Sequence, residues 1–169
     1  MGASAQPPGA MRVGTGYDIH RLLPGRRLVL GGVALEHPEG KGLAGHSDAD
    51  VVTHAIMDAL LGAAGLPDIG QLFPDTDPGY AGISSLQLLR AVADKVHGRG
   101  WRIQNLDVTA VAEKPRLAVH VAAMGQAIAS ALTLSASQIN IKATSNEGLD
   151  AVGRGEAIAA HAVALLSGN

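Results

Sequence analysis

Val51-Val52-Thr53-His54-Ala55-Ile56-Met57-Asp58-Ala59-Leu60-Leu61-Gly62-Ala63-Ala64 carries apolar side chains at 51, 52, 55, 56, 59, 60 and 63. That spacing has the period of an α-helix with one stripe turned to a core. Ser47 or Asp48 stands where a cap belongs, and Gly65 followed by Pro67 supplies the stop. His54 lies inside the run, one turn after Asp50 and one turn before Asp58. It therefore reads either as a helical histidine paired with a carboxylate or as a ligand.

The flanks of this helix set the fold class. Residues 12–17 and 27–33 read as strands, the second β-branched and Leu-rich and ending on Gly31-Gly32. The segment 36–49 is polar and glycine-rich, hence loop. Beyond the helix, 74–82 is turn-rich, and 84–97 is a second amphipathic helix closed by Gly98 and Gly100. Residues 101–112 alternate as a strand does, and 117–132 form a third helix. Strands follow at 138–144 and 156–165, the latter so rich in Ala that it imitates a helix. Strands at both ends with helices between predict an α+β fold.

The 169 residues suit one domain, read as 11–169, with 1–10 as a disordered lead-in. A net charge of -2 argues against nucleic acid as a partner. No apolar run reaches the roughly 20 residues of a membrane span, and no secretory signal opens the chain. A cytoplasmic location is expected. There is no cysteine, so a metal would be held by His and carboxylates. Tyr17, Phe73, Tyr80 and Trp101 are the four Phe, Tyr and Trp residues of the chain, so Ala, Val, Leu and Ile must build the core.

Asp18 and His20 sit two apart on an extended segment and so face the same side. With His54 they would make three ligands, leaving a fourth position open. The pair also fits a surface turn whose carboxylate caps a backbone amide. Gly45-His46-Ser47-Asp48-Ala49-Asp50 stands at a helix N-terminus, where free N–H groups suit a phosphate or serve a plain capping box. Asp68-Ile69-Gly70 and Phe73-Pro74-Asp75-Thr76-Asp77 are acidic turns without the spacing of a calcium loop. Thr144-Ser145-Asn146-Glu147 has hydroxyls and a carboxylate suited to phosphate and a hard cation. Glu113-Lys114-Pro115-Arg116 ends another strand with two cations, and Gly153-Arg154-Gly155-Glu156 is a turn with an ion pair.

Taken in order, these motifs resemble one family, the 2-C-methyl-D-erythritol 2,4-cyclodiphosphate synthases of the non-mevalonate isoprenoid pathway. Gly14-x-Gly16-Tyr17-Asp18-x-His20, the His46 and Asp68 to Asp77 motifs, Ile141-Lys142-Ala143-Thr144 and Gly153-Arg154-Gly155-Glu156 all come in register. The resemblance implies a two-layer α/β arrangement, a mixed β-sheet with helices packed on one face. It implies a homotrimer with strands around the central axis and active sites at the subunit interfaces. The activity implied is conversion of 4-diphosphocytidyl-2-C-methyl-D-erythritol 2-phosphate to the cyclic 2,4-diphosphate with release of CMP, a cyclising phosphorus–oxygen lyase reaction.

By the same resemblance Asp18, His20 and His54 hold Zn2+ or another divalent transition metal. Glu147 holds Mg2+ or Mn2+ with the diphosphate. His46 and Ser145 are the catalytic candidates, and Ser47 joins His46 on phosphate. Asp68, Ile69, Gly70, Phe73, Pro74, Asp75, Thr76 and Asp77 are expected to line the methylerythritol pocket. Ala112, Glu113, Lys114, Pro115, Arg116, Leu117 and Ala118 are expected to embrace cytidine, and Thr144, Ser145, Asn146 and Glu147 the diphosphate. Ala151 and Arg154 are expected near a chamber on the trimer axis.

Two positions depart from the family pattern. Arg116 stands where Lys is common, which keeps the charge but exchanges a point donor for a planar fork. Leu149-Asp150-Ala151-Val152 replaces the frequent Leu-Gly-Phe-Thr, so the axial chamber lacks its Phe. The rival readings are a zinc-dependent hydrolase, which lacks His-Glu-x-x-His, and a non-catalytic nucleotide-binding module with structural zinc. Structural zinc usually has four protein ligands, commonly including Cys.

Overall fold

The computed structural model describes residues 6, 7 and 9–168 and places an α-helix over Val51–Ala64 (α1), as the periodicity predicts. Its cap is neither Ser47 nor Asp48. The buried carboxylate of Asp50 accepts from the Thr53 amide at 3.0 Å and also from the amides of Gly31 and Gly32. One side chain thus ends the helix and fixes a distant turn. The apolar stripe understates how deep α1 lies, since all of its residues except Asp58 and Gly62 are buried. A sheet covers one side and another helix the other, the situation of a helix apolar nearly all round.

Among the described residues seven strands form: β1 (Met11–Pro24), β2 (Leu28–Leu30), β3 (Val33–Leu35), β4 (Lys41–Leu43), β5 (Trp101–Val111), β6 (Ile139–Thr144) and β7 (Ala157–Gly168). Five of them make one sheet in the order β4-β1-β7-β5-β6, with β5 and β6 parallel and the other neighbours antiparallel. The remaining helices are α2 (Ile69–Leu72), α3 (Ser85–Gly98), α4 (Val121–Leu132) and α5 (Asp150–Gly153). The class is α+β with a mixed sheet, and α1, α3 and α4 pack on it.

Several boundaries differ from expectation, two of them through non-local strand partners. The first strand does not stop near Tyr17. It pairs residue for residue with β7 from Met11 to Arg21, so Asp18 and His20 stand inside it. The 27–33 strand breaks at Gly31 and Gly32, whose φ of 55° and 76° make the tight hairpin turn joining β2 to β3. The 36–49 loop contains β4, recruited by the end of β1. The third helix opens as a 3-10 turn at Leu117–Val119 and becomes α-helical at Val121. Of the lead-in, residues 1–5 and 8 lie outside the described residues, while Gln6 donates to the Arg99 carbonyl at 3.1 Å.

β7 is a strand despite its Ala content because position overrides propensity. It lies between β1 and β5, and Ala160, Ala162 and Ala164 are buried. Their small side chains let α1 come close. On β1 the approach is closer still: a Cβ on Gly16 would lie 2.0 Å from the Ala55 carbonyl oxygen, and one on Gly14 2.1 Å from that of Ala59. Backbone meets backbone there, and nothing flexible can yield. Gly16→Ala should therefore cost about 3 kcal/mol or more of stability, read as a lower urea midpoint. A variant within 0.5 kcal/mol of wild type, roughly the scatter of neutral surface changes, would show that α1 is free to shift.

The other face of β1 is different in kind. Met11, Val13, Tyr17 and Ile19 are exposed there, joined by Val163 of β7. Thus one side of the sheet holds the core, and the other presents an apolar surface.

Candidate active site

Side chains alternate along β1, so Gly14, Gly16, Asp18 and His20 share the face that meets α1. Gly14 lies against Ala59 and Ala63, and Gly16 against Ala55. The next position on that face is Asp18, which therefore arrives beside His54, the residue before Ala55. Asp18 Oδ2 lies 2.9 Å from His20 Nε2 and 3.0 Å from His54 Nδ1, with the two ring nitrogens 3.3 Å apart. The close glycine–alanine packing is what registers the three groups.

Each ring has its outer nitrogen engaged elsewhere. His20 Nδ1 meets the Ala44 carbonyl oxygen, which only accepts, so the proton sits on Nδ1 and Nε2 offers a lone pair. His54 Nε2 meets the hydroxyls of Ser85 at 2.9 Å and Ser47 at 3.2 Å, leaving Nδ1 toward Asp18 and His20. Asp18 Oδ1 accepts from the Ile19 amide while Oδ2 faces the rings. Asp18 thus stands within β1 and not in a turn: one oxygen holds a backbone amide and the other is placed as a ligand. His54 pairs with neither acidic neighbour: Asp50 is taken up by Gly31, Gly32 and Thr53, and Asp58 accepts from the Ile69 amide at 2.9 Å.

Burial would raise the Asp18 carboxyl, but hydrogen bonds and charge from His20 and His54 overcome it and hold it down at about 2. Burial would lower His20, and the Asp18 carboxylate with the Ala44 carbonyl leaves it above the usual imidazole range. Three donor atoms within 4.8 Å of one another, two nitrogens and a carboxylate oxygen, are equipped to hold a divalent cation.

The cluster opens on a cavity of about 420 Å³ whose wall also includes His46, Ser47, Ile69, Gly70, Phe73 and Asp75. Gly45, Met57, Tyr80 and Leu88 complete it; Met57, Tyr80 and Leu88 belong to no motif that marks a site in the sequence. Phe73 and Tyr80 meet edge to face with ring centres 5.4 Å apart. His46 Nε2 lies 3.1 Å from the Asp77 carbonyl oxygen, to which it donates. The carboxylates of Asp68 and Asp77 cap local turns, accepting from Gln71 and Gly79, and with Pro74 and Thr76 they are absent from this wall.

The second set of expected residues gathers elsewhere, at the ends of the parallel pair β5 and β6. Ala112 donates its amide to Thr144, and the Glu113 carboxylate accepts from the amides of Asn146 (2.9 Å) and Gly148 (3.3 Å). Glu113 therefore ties the two loops together. Ser145 Oγ donates to Glu147 at 3.0 Å. Lys114 pairs with Glu39, whose carboxyl the hydrogen bonds of Lys41 and Lys114 hold down at about 2. Arg116 and Pro115 lead into the 3-10 turn, in which Leu117 is buried in the core and Ala118 is exposed. Ala151 packs beside Val152 on a small cluster with Val111, Ala157 and Ala159, and Arg154 pairs with Glu156 at 2.9 Å.

Among the described residues, none of the second set lines the cavity on which the metal cluster opens. Asp18 stands in register with Ala160, Ala160 with Ala110, and Ala110 with Ala143, so β6 lies three strand spacings, or about 14 Å, from β1.

Residues 11–167 match the YgbB family. The chain is 59% identical over 156 residues to a 2-C-methyl-D-erythritol 2,4-cyclodiphosphate synthase of Desulfosudis oleivorans, covering 92% of each. Its fold matches the bifunctional IspDF of Campylobacter jejuni with a TM-score of 0.91 at 39% identity, over 96% of this chain and 44% of that longer one. It also matches IspF of Plasmodium falciparum in complex with CDP, with a TM-score of 0.83 at 31% identity, covering 96% of this chain and 99% of that one.

Proposed function

Because the chain belongs to the YgbB family, we infer that it converts 4-diphosphocytidyl-2-C-methyl-D-erythritol 2-phosphate to 2-C-methyl-D-erythritol 2,4-cyclodiphosphate, releasing CMP in the isoprenoid pathway. The observation that carries this reading is the Asp18–His20–His54 cluster opening on a cavity walled by His46, Ser47, Ile69, Gly70 and Phe73.

An oxygen of the substrate's 2-phosphate bonds to the β-phosphorus. The bond from that phosphorus to the bridging oxygen breaks, and its electron pair leaves on the phosphate of CMP. No nucleophile from the protein is required, so the chain's task is placement and charge compensation. Holding two anionic groups in line contributes on the order of 7–11 kcal/mol. A divalent ion at Asp18, His20 and His54, best suited to zinc, would supply charge neutralisation at the phosphoryl oxygens. Magnesium or manganese suits Glu147, which offers one carboxylate beside phosphate. Ser47 and His46 border the cluster and orient phosphate oxygens, His46 by exchanging the Asp77 carbonyl for substrate. Ile69, Gly70 and Phe73 enclose the methylerythritol. The 112–118 segment holds cytidine, and Thr144, Ser145 and Glu147 hold the diphosphate.

We further propose a homotrimer with the open apolar sheet face turned to its axis and each site shared by two chains. Two observations support this: Met11, Val13, Tyr17, Ile19 and Val163 are exposed on one face, and the second residue set stands about 14 Å across the sheet from the first. Among the described residues no helix is long and apolar enough to cross a membrane.

Phosphorus NMR of the protein with its cytidyl substrate, zinc and magnesium tests the reaction. The cyclic diphosphate and CMP should appear together in equal amounts. Release of inorganic phosphate instead would place the chain among hydrolases.

A further inference from the structure

Ser85 has no part in the substrate contacts above, yet it is a fully buried polar residue whose hydroxyl reaches the edge of the metal cluster. It is the first residue of α3. Its amide donates to Asp48 Oδ2 at 3.0 Å and its hydroxyl donates to Asp48 Oδ1 at 2.5 Å. An ionised carboxylate only accepts, so the hydroxyl proton of Ser85 is committed to Asp48. The lone pairs of Ser85 Oγ then face His54 Nε2, 2.9 Å away, and only a proton on Nε2 satisfies that contact.

We propose that Ser85, braced by Asp48, is a positioning residue for the metal site: it holds the proton of His54 on Nε2 and keeps the Nδ1 lone pair for the cation. There is a real competition to decide. Asp18 Oδ2 lies 3.0 Å from Nδ1 and by itself would draw the proton to that side. Asp48 backs the opposite side with its carboxylate through a short, partly buried chain. Ser47 is a weaker candidate for the same task, since its hydroxyl is at 3.2 Å and borders the substrate cavity. Outer-sphere partners of this kind set ring orientation and tautomer, and their loss typically weakens metal binding 10- to 100-fold.

The inference rests on the metal reading above, and its test needs no substrate. Zinc affinity is measured by competition with a chelating indicator for wild type, Ser85→Ala and Asp48→Asn. The His54 Nε2 proton is followed by NMR in the zinc-loaded proteins. Both variants should bind zinc 10- to 100-fold more weakly, and the protected Nε2–H signal of wild type should be lost or shifted. The thermal midpoint of the metal-free proteins separates a purely structural role, which would lower stability and leave both readouts unchanged. Wild-type affinity and an unmoved Nε2–H signal in both variants would overturn the proposal. Failure of wild type to bind zinc would instead overturn the metal reading beneath it.

Discussion

His54→Ala should leave a folded protein that holds no stoichiometric zinc and cyclises its substrate at least about 10²–10³ times more slowly. The size follows from what one ligand does in a three-ligand site. Asp18 and His20 alone are two donors on one strand, and the third comes only from α1. Without it the site loses the tight convergence that a catalytic zinc needs. The charge that would be neutralised at the phosphoryl oxygens is then uncompensated in a partly buried cavity. The fold should survive, because the packing that joins α1 to β1 is made by Gly14 and Gly16 on Ala55, Ala59 and Ala63, not by the histidine. Metal analysis, circular dichroism and turnover read the three parts separately. Chelation of wild type should reproduce the loss, and added zinc should restore wild type but not the variant. A variant with full zinc would remove His54 from the site. Protons compete for the same lone pair on His20, which burial lowers and Asp18 raises to a net increase. Zinc occupancy of wild type should accordingly fall as pH drops through the range where His20 takes up its proton.

The ease of reading this site from sequence was uneven, for identifiable reasons. Helix α1 was legible because its period is local, and His54 was visible within it. Asp18 and His20 were visible as a same-face pair, although nothing local said that β1 continues past them to Pro24. That extension depends on β7 as far as Arg21 and on β4 over Leu22, Leu23 and Pro24, and β7 is distant in the chain and carries an Ala content that argues for helix. β4 is three residues long and exists only because β1 passes it. Ser85 could not be assigned by spacing: it reaches His54 because α3 is anchored at its N-terminus by the Asp48 carboxylate. Glu113 and Leu117 show the opposite limit. Motif position groups them with ligand-facing residues, whereas Glu113 ties loop 112–118 to loop 144–148 and Leu117 fills the core. A motif preserves both the residues that touch a ligand and those that shape the loop, and spacing does not separate the two.

Mixing two inactive variants should restore activity if each site is shared between chains. His54→Ala removes the metal half and Glu147→Ala the diphosphate half; each alone should be nearly inactive. In a closed ring of three, each site would join the metal half of one chain to the diphosphate half of the next. Random reassembly of equal amounts then gives about a quarter of the sites both intact halves, because each half is drawn independently. Activity should therefore rise to about a quarter of wild type after co-expression or after dissociation and reassembly. The chain carrying both substitutions, mixed with either single variant, should recover nothing. The geometry makes this a demanding test. Glu147 follows β6, about 14 Å across the sheet from Asp18 on β1, and it does not line the cavity that the metal cluster does. If the two halves of a site come from one chain, every mixed trimer still has one defective half per site and no activity returns. Recovery would also explain the exposed face of Met11, Val13, Tyr17 and Ile19, since a surface of that character is stable in water when copies of the chain bury it against one another.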